Sequence, residues 1–291
     1  VLTLLAIFIF ATQDAASKFL VQSFSPFQIT MMRFWGFGAF SLVLVMRQGP
    51  LRQAFNSSTP VLQAARGVLL VADIWTFAIA LKSVGLAELQ AITLVYPLIV
   101  TIVAIPVLGE KVGIFRFAAV GVGFLGALVI VRPGGLPFDW GVGAAIISAA
   151  CYAIYIVLTR KVTQTDSTAT SMFYVGVVGL VLTSAIGVFF WQPLAPLSLL
   201  LVFYIMVTSV LAHGLMMVAL SAAPASVLQP FNYTSLPWGI LFSYVVFQHL
   251  IDPMSLLGAA VIIGAGLVVM ARERIKKVPA AADETALPGK E

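Results

Sequence analysis

An acidic and a basic residue interrupt an apolar segment that is otherwise typical of a membrane-spanning helix. The segment ATQDAASKFL (11–20) places Asp14 and Lys18 four residues apart, on one face of a helix. A charged side chain at the centre of a bilayer costs about 2.5–3.5 kcal/mol on insertion scales, and such residues mark candidate functional sites. Asp14 therefore either pairs with a nearby base or binds an ammonium group or a proton.

Three more ionisable residues interrupt apolar runs, namely Arg33, Asp73 and His213. Arg33 lies near the depth of Asp14 on the second arm of a predicted hairpin, so Asp14, Lys18 and Arg33 are predicted to form a structural charge cluster. Asp73 has no base three or four positions away, which makes it the better candidate for binding a substrate or a proton. His213 could titrate near neutral pH, although a histidine bonded to a neighbouring helix is equally consistent with its position.

The composition of the whole chain explains why these residues stand out. The 291 residues are 61% hydrophobic and 9% charged, with a mean hydropathy of +1.07. Soluble domains contain about 25% charged residues, so an all-α membrane protein is predicted, with the lipid bilayer and not nucleic acid as its partner. The single cysteine, Cys151, lies in an apolar run, which argues against a disulfide framework or a cysteine-rich metal site. No cofactor and no metal are predicted.

Ten apolar segments are long enough to cross about 30 Å of hydrocarbon. They are separated by turn residues at 25–26, 49–50, 133–135, 193–196, 224 and 252–253. The predicted spans are 2–22, 27–46, 61–81, 87–107, 114–131, 140–159, 169–190, 198–219, 225–247 and 254–271. The polar segment 275–291 is predicted to be a disordered tail.

Lysines and arginines are distributed unevenly between the two sides of these spans. With the N-terminus inside, only Lys18, Lys82 and Arg132 fall on the outer side. The inner side receives Arg47, Arg52, Arg66, Lys111, Arg116, Arg160, Lys161, Arg272, Arg274, Lys276, Lys277 and Lys290. The positive-inside rule then predicts that both termini are cytoplasmic.

The two halves of the chain resemble each other. The dipeptides Ala80-Leu81 and Leu89-Gln90 recur 139 positions later, at 219–220 and 228–229. Further matches 140 positions apart are Pro97 with Pro237, Gly126 with Gly266, and Arg132 with Arg272. Because each half contains an odd number of spans, the halves are predicted to be inverted repeats, 1–133 and 134–274, as in many secondary transporters.

Polar residues recur at helical spacing in three pairs of spans related by this repeat: the first with the sixth, the third with the eighth and the fourth with the ninth. Six such helices are predicted to surround a central cavity, whereas the glycine-rich fifth and tenth pack outside it. The polar cavity residues are Asp73, Gln90, Tyr152, Tyr155, His213 and Asn232. Pro97 and Pro237 fall in the middle of spans, where they are predicted to be helix hinges near a midplane site.

An intramembrane enzyme is the alternative from another functional class. Asp14 and Asp73 could serve as the two aspartates of an aspartyl protease, but neither follows Gly-x-Gly. The chain also contains neither His-Glu-x-x-His nor an ATP-binding G-x-x-x-x-G-K-[ST] loop. A carrier is therefore favoured over an enzyme.

The residues that carry a family resemblance are ALKSVGLAELQAITLVYP (80–97) and LGEKVGIFRFAAVGVGFLGALVIV (108–131). With the duplicated five-helix plan, they resemble the ten-helix EamA-type branch of the drug/metabolite transporter superfamily, and especially its bacterial aromatic amino-acid exporters. In the second half, Gln248-His249 departs from the Gly-Glu of many members, here Gly109-Glu110.

The resemblance implies an inner-membrane carrier that works by alternating access and exports aromatic or other neutral amino acids, or toxic organic cations. Proton coupling and simple downhill transport both remain open. Aromatic rings that could contact such a solute are those of Trp75, Tyr96, Tyr152, Tyr155, Tyr233 and Trp238.

Overall fold

Apolar runs of about twenty residues form long helices whose apolar side chains point outward as well as inward. The structure, a computed structural model, describes residues 1–48, 50–109, 114–131 and 140–275, and it contains no strand over those residues. The helices are α1 (Leu2–Val21), α2 (Pro26–Gln48), α3 (Leu51–Ala54), α4 (Pro60–Ser83), α5 (Leu86–Thr93), α6 (Tyr96–Leu108), α7 (Ile114–Val131), α8 (Trp140–Val162), α9 (Thr168–Gly187), α10 (Pro196–Ala222), α11 (Ala225–Asn232), α12 (Ser235–Phe247) and α13 (Pro253–Ile275).

Each predicted span coincides with one helix or with two consecutive helices. Within the described residues, seven helical segments are long and apolar enough to cross a membrane, and three shorter apolar ones lie in α7, α12 and α13. Phe124 and Leu125 on α7 are 56% and 60% exposed, as expected for a surface in contact with lipid. The tail from residue 276, the junction between residues 133 and 134, and Glu110 lie outside the described residues.

Two of the predicted spans are divided in the middle. The fourth is split into α5 and α6 at residues 94–95, and the ninth into α11 and α12 at residues 233–234. Each break lies just before a proline, Pro97 or Pro237, whose missing N–H cannot continue the helical hydrogen bonding. The Tyr233 carbonyl, for example, accepts a 3.4 Å bond from the Leu236 amide instead.

The second segments, α6 and α12, also end in the same way. Gly109 and Gln248 follow their last turns with φ values of 68° and 52°, in the left-handed region. These two positions are 139 apart, which is the offset of the sequence repeat.

Helices from the two halves pack against each other in matching pairs. α4 packs on α8 and α1 packs on α10, while α6 contacts α8 and α12 contacts α1. α2 packs on α9, and α7 packs on α13. Under the predicted repeat, the α4–α8 contact corresponds to the α10–α1 contact. In the same way, the α6–α8 contact corresponds to the α12–α1 contact.

Two basic side chains cap the C-terminal ends of helices. Lys18 on α1 donates to the carbonyls of Leu81 and Val84, at 2.8 and 2.6 Å, where α4 ends. Arg160 on α8 donates to the carbonyl of Leu220 at 2.7 Å, near the end of α10. A cation there satisfies carbonyls left free by the helix and interacts favourably with its dipole. Lys18 therefore stabilises the end of α4 and forms no ion pair with Asp14.

A buried polar network joins α4 to α8 and α9. Arg66, which the charge distribution assigns to the inner side, lies inside α4 with no exposed surface. Its guanidinium donates to Gln63 Oε1 at 2.8 Å and to Thr159 Oγ1 at 3.3 Å, and also to the Ser171 carbonyl. A buried charge needs such compensation, and this one is shared between both halves of the chain.

The network continues to Asp166, in the loop between α8 and α9. Gln63 Nε2 donates to Asp166 Oδ2 at 2.7 Å, and Ser57 and Ser58 donate to the same carboxylate. Burial alone would raise the pKa of Asp166, but these hydrogen bonds outweigh burial and hold the pKa below its usual value. The carboxylate therefore remains ionised and anchors the 57–58 loop.

Glycines allow α7 and α13 to approach closely. A Cβ added at Gly126 would lie 2.7 Å from the Gly258 carbonyl oxygen, and one added at Gly258 would lie 2.5 Å from the Gly126 oxygen. Small residues at such crossings replace the hydrophobic driving force that lipid does not provide.

We predict that Gly126→Ala lowers the free energy of unfolding by about 1–3 kcal/mol, because the methyl group overpacks a backbone contact. Gly121 is the matched control on the same helix, since a Cβ added there would meet nothing within 4 Å among the residues that the structure describes. Gly121→Ala should leave stability unchanged or raise it slightly. Unfolding of the purified protein in mixed detergent micelles measures both, and equal effects would contradict this packing.

Candidate functional site

A cavity lies at the centre of the helices. It contains about 1020 Å³ of empty space, including the part open to solvent. Its wall is formed by α1, α2, α4, α5, α6, α8, α10, α11 and α12, and therefore by both halves of the chain.

Six of the ten predicted cavity residues lie in this wall. Asp73, Gln90 and Tyr96 come from the first half, and Tyr152, His213 and Asn232 from the second. Gln90 precedes the break between α5 and α6, and Asn232 ends α11 immediately before the matching break. The two interrupted helices thus bring polar side chains to the centre of the molecule.

The other four predicted residues pack around the cavity and are absent from its wall. Trp75 packs edge-on against Phe27, with ring centroids 5.5 Å apart. Tyr155 is 2% exposed and lies behind Tyr152, under the Arg66 guanidinium. The remaining two are Tyr233, which packs against Gly266, and Trp238, which contacts Phe8.

Among the described residues, three charged side chains border the cavity, two of them acidic and one basic. Asp14 Oδ2 accepts a 2.7 Å hydrogen bond from Gln90 Nε2, and Asp73 Oδ1 accepts a 2.6 Å bond from Ser148 Oγ. Arg33, on α2, lies in the same wall, and its charge acts on both carboxylates. Among the described residues, no carboxylate lies within 4 Å of its guanidinium.

Arg33 and its helix are the part of the site that the polar stripes do not predict. The six predicted cavity helices exclude the second span, yet Thr30 and Arg33 of α2 face the cavity. The available signal is the spacing of these two residues, one helical turn apart in an apolar run. Lys18, placed in the same cluster by sequence, lies apart from it at the end of α4.

Buried polar atoms without partners occur in the second-half wall. His213 Nδ1 lies 3.1 Å from the Ser209 carbonyl and donates to it, which leaves Nε2 as an acceptor. Asn232 Nδ2 donates to Gln229 Oε1 at 3.1 Å. Within the described part of the chain, His213 Nε2 and Asn232 Oδ1 are buried and have no hydrogen-bond partner. Both atoms are shielded from the cavity in this conformation, so they offer no contact surface to a solute.

Asp14 and Asp73 are held by different helices, and their charges act on each other. Asp14 accepts its hydrogen bond from Gln90 on α5, and Asp73 accepts its hydrogen bond from Ser148 on α8. Among the described residues, no hydrogen bond joins the two carboxyl groups. Each carboxylate is thus positioned separately beside the cavity, where it can meet a solute.

Comparison with known proteins identifies related sequences over nearly the whole chain. The EamA-like transporter family matches twice, at residues 1–132 and 139–271. An S-adenosylmethionine uptake transporter of Rickettsia prowazekii is 24% identical over 93% of this chain and 92% of its own. Riboflavin transporters of Brucella anthropi and Rhizobium johnstonii are 30% and 28% identical, over 80% and 85% of this chain and 84% and 83% of their own.

A solved crystal structure of another protein shares the fold. Its TM-score is 0.72 at 18% identity, with 94% of this chain and 97% of that chain covered. The names of the related sequences describe transporters of S-adenosylmethionine or riboflavin and not amino-acid exporters.

We predict that the Arg33 and Asp73 charges stabilise each other across the cavity. In a double-mutant cycle with Arg33→Met and Asp73→Asn, the coupling free energy should be about 1–2 kcal/mol, because each single change leaves the other charge less compensated.

The control cycle combines Arg33→Met with Asp166→Asn, whose carboxylate lies in the 57–58 loop network. The changes in unfolding free energy caused by Arg33→Met and Asp166→Asn should add to within about 0.5 kcal/mol. Unfolding free energies in detergent micelles provide the measurement. Additivity of Arg33→Met with Asp73→Asn would show that the two charges do not interact.

Proposed function

The chain belongs to the EamA-like transporter family, and we propose that it carries a small organic metabolite through its central cavity by alternating access. It is a multi-pass membrane protein related to bacterial transporters. The observation that supports the mechanism best is the cavity itself, which holds polar and charged groups and is walled by both halves of the chain.

We propose that the chain forms ten spans in two inverted repeats, 1–133 and 134–274, with both termini in the cytoplasm. The double match to the family, the matching helix contacts and the equivalent caps made by Lys18 and Arg160 support the repeat. Five spans per repeat reverse the orientation of the second half. The excess of basic residues on one side supports the orientation, and the relation to bacterial transporters supports a place in the bacterial inner membrane.

The two broken spans, α5–α6 and α11–α12, could bend so that the cavity opens alternately to the two sides of the membrane. Pro97 and Pro237 each remove one helical hydrogen bond beside the cavity, so the segments on either side of a break can tilt separately. In this proposal they are the hinges. A rocking motion of one repeat against the other would then open one end while closing the other.

The substrate is proposed to be a metabolite that carries an aromatic ring. Tyr96 and Tyr152 lie in the cavity wall with ring centroids 5.0 Å apart, edge to face, and they offer apolar ring surfaces. S-adenosylmethionine and riboflavin, the solutes that the names of the relatives contain, both have fused heteroaromatic rings. An aromatic amino acid, as the family resemblance implies, also fits this description, and export is the direction implied by that resemblance.

We predict that the purified protein, reconstituted in liposomes, catalyses counterflow of at least one member of a panel comprising S-adenosylmethionine, riboflavin, aromatic and aliphatic amino acids, and organic cations. Protein-free liposomes are the control for leakage. An imposed pH gradient across liposomes that are not preloaded with solute separates proton-coupled from downhill transport, because there only coupled transport accumulates the solute.

The Asp73→Asn variant, measured with the transported solute, tests the role of the cavity charge. It keeps the acceptor for Ser148 but removes the negative charge, so counterflow should fall at least tenfold. Absence of transport for the whole panel would overturn the proposed function. Unchanged counterflow by Asp73→Asn at every pH would remove Asp73 from the mechanism but leave a carrier.

A further inference from the structure

We infer that the cavity recognises a zwitterionic α-amino-acid head group, with Arg33 binding its carboxylate and Asp14 and Asp73 binding its ammonium group. The inference rests on the proposed function and narrows its substrate class. Free amino acids and S-adenosylmethionine carry this head group, whereas riboflavin does not.

Arg33 is the anion-binding element. Its guanidinium makes no hydrogen bond to another described residue, although it borders the cavity. Arginine has five N–H donors in a planar fork that matches a carboxylate. The buried Arg66, by comparison, directs both terminal nitrogens of its guanidinium to Gln63, Thr159 and Ser171, and only its Nε has no partner among the described residues. The contrast indicates that the donors of Arg33 are kept for water or a solute.

Asp14 and Asp73 form the cation-binding element. Each accepts one hydrogen bond from a neutral side chain, which leaves several acceptor positions on each carboxylate. An ammonium group has three donors and needs such acceptors.

The balance of charges also favours a zwitterion over an anion. The cavity wall offers a guanidinium to a carboxylate and two carboxyl groups to an ammonium group, so a solute that carries only a carboxylate would use one element and leave the other without a partner. A zwitterion places one charge against each element, and an extra positive charge, such as a sulfonium, is also accommodated. The aromatic wall formed by Tyr96 and Tyr152 then faces the remainder of the solute.

The first experiment uses the unaltered protein and solutes that differ only in the head group. Proteoliposome counterflow of S-adenosylmethionine is challenged with S-adenosylmethionine and with its decarboxylated amine. Counterflow of L-phenylalanine is challenged with L-phenylalanine, phenethylamine and 3-phenylpropionate. We expect the zwitterion of the transported series to compete at least tenfold better than its analogues, which corresponds to about 1.4 kcal/mol or more.

Equal competition by the amine or the acid would overturn the inference while the carrier function stands. Transport of riboflavin without binding of either zwitterion would also overturn it. Failure of every solute to move would overturn the proposed function and the inference together.

The second experiment assigns the two elements separately. Arg33→Gln should weaken competition by the zwitterion at least tenfold but leave competition by the amine unchanged, whereas Asp73→Asn should weaken competition by the amine as well. Arg47→Gln, on the same helix and exposed, is the matched control and should change neither. A misfolded variant would lose both ligands, so competition by the amine that survives in Arg33→Gln identifies recognition of the carboxylate. Identical losses for the amine and the zwitterion in Arg33→Gln would overturn the assignment.

Discussion

The high cost of an uncompensated charge in lipid governs how this chain is built. Among the described residues, each buried charged group is either bonded within the protein or borders the cavity. Lys18 and Arg160 satisfy carbonyls at helix ends, and Arg66 is enclosed by partners on three helices. Asp14, Arg33 and Asp73 remain, and all three border the same space. The charged groups that can interact with a solute are therefore gathered around the cavity.

The helices follow from the sequence with few exceptions, because length and hydropathy determine where a chain can cross a bilayer. The predicted ends agree with the helices to within a few residues, and the breaks in the fourth and ninth spans lie beside the prolines that predict them. The short helix α3 is not predicted, since four residues carry no periodic signal.

The site is harder to predict because spacing shows which face of a helix is polar but not what that face meets. Lys18 and Asp14 share a helical face, yet Lys18 reaches the end of α4. Trp75, Tyr155, Tyr233 and Trp238 are aromatic and central but pack outside the cavity wall. The depth that Arg33 shares with Asp14 favours a structural role, whereas its side chain borders open space. Only the packing of all the helices together distinguishes these cases.

The most direct test is whether water reaches the polar faces in a bilayer, measured by the reaction of single cysteines with a charged methanethiosulfonate reagent. In a Cys151→Ala background, Ser17→Cys and Ser235→Cys place thiols in the cavity wall, and Leu125→Cys places one on the outer surface of α7. Because the reaction needs the hydrated thiolate, we predict rapid labelling at positions 17 and 235 and none at 125. Labelling at 125 with none at the two cavity positions would contradict the account.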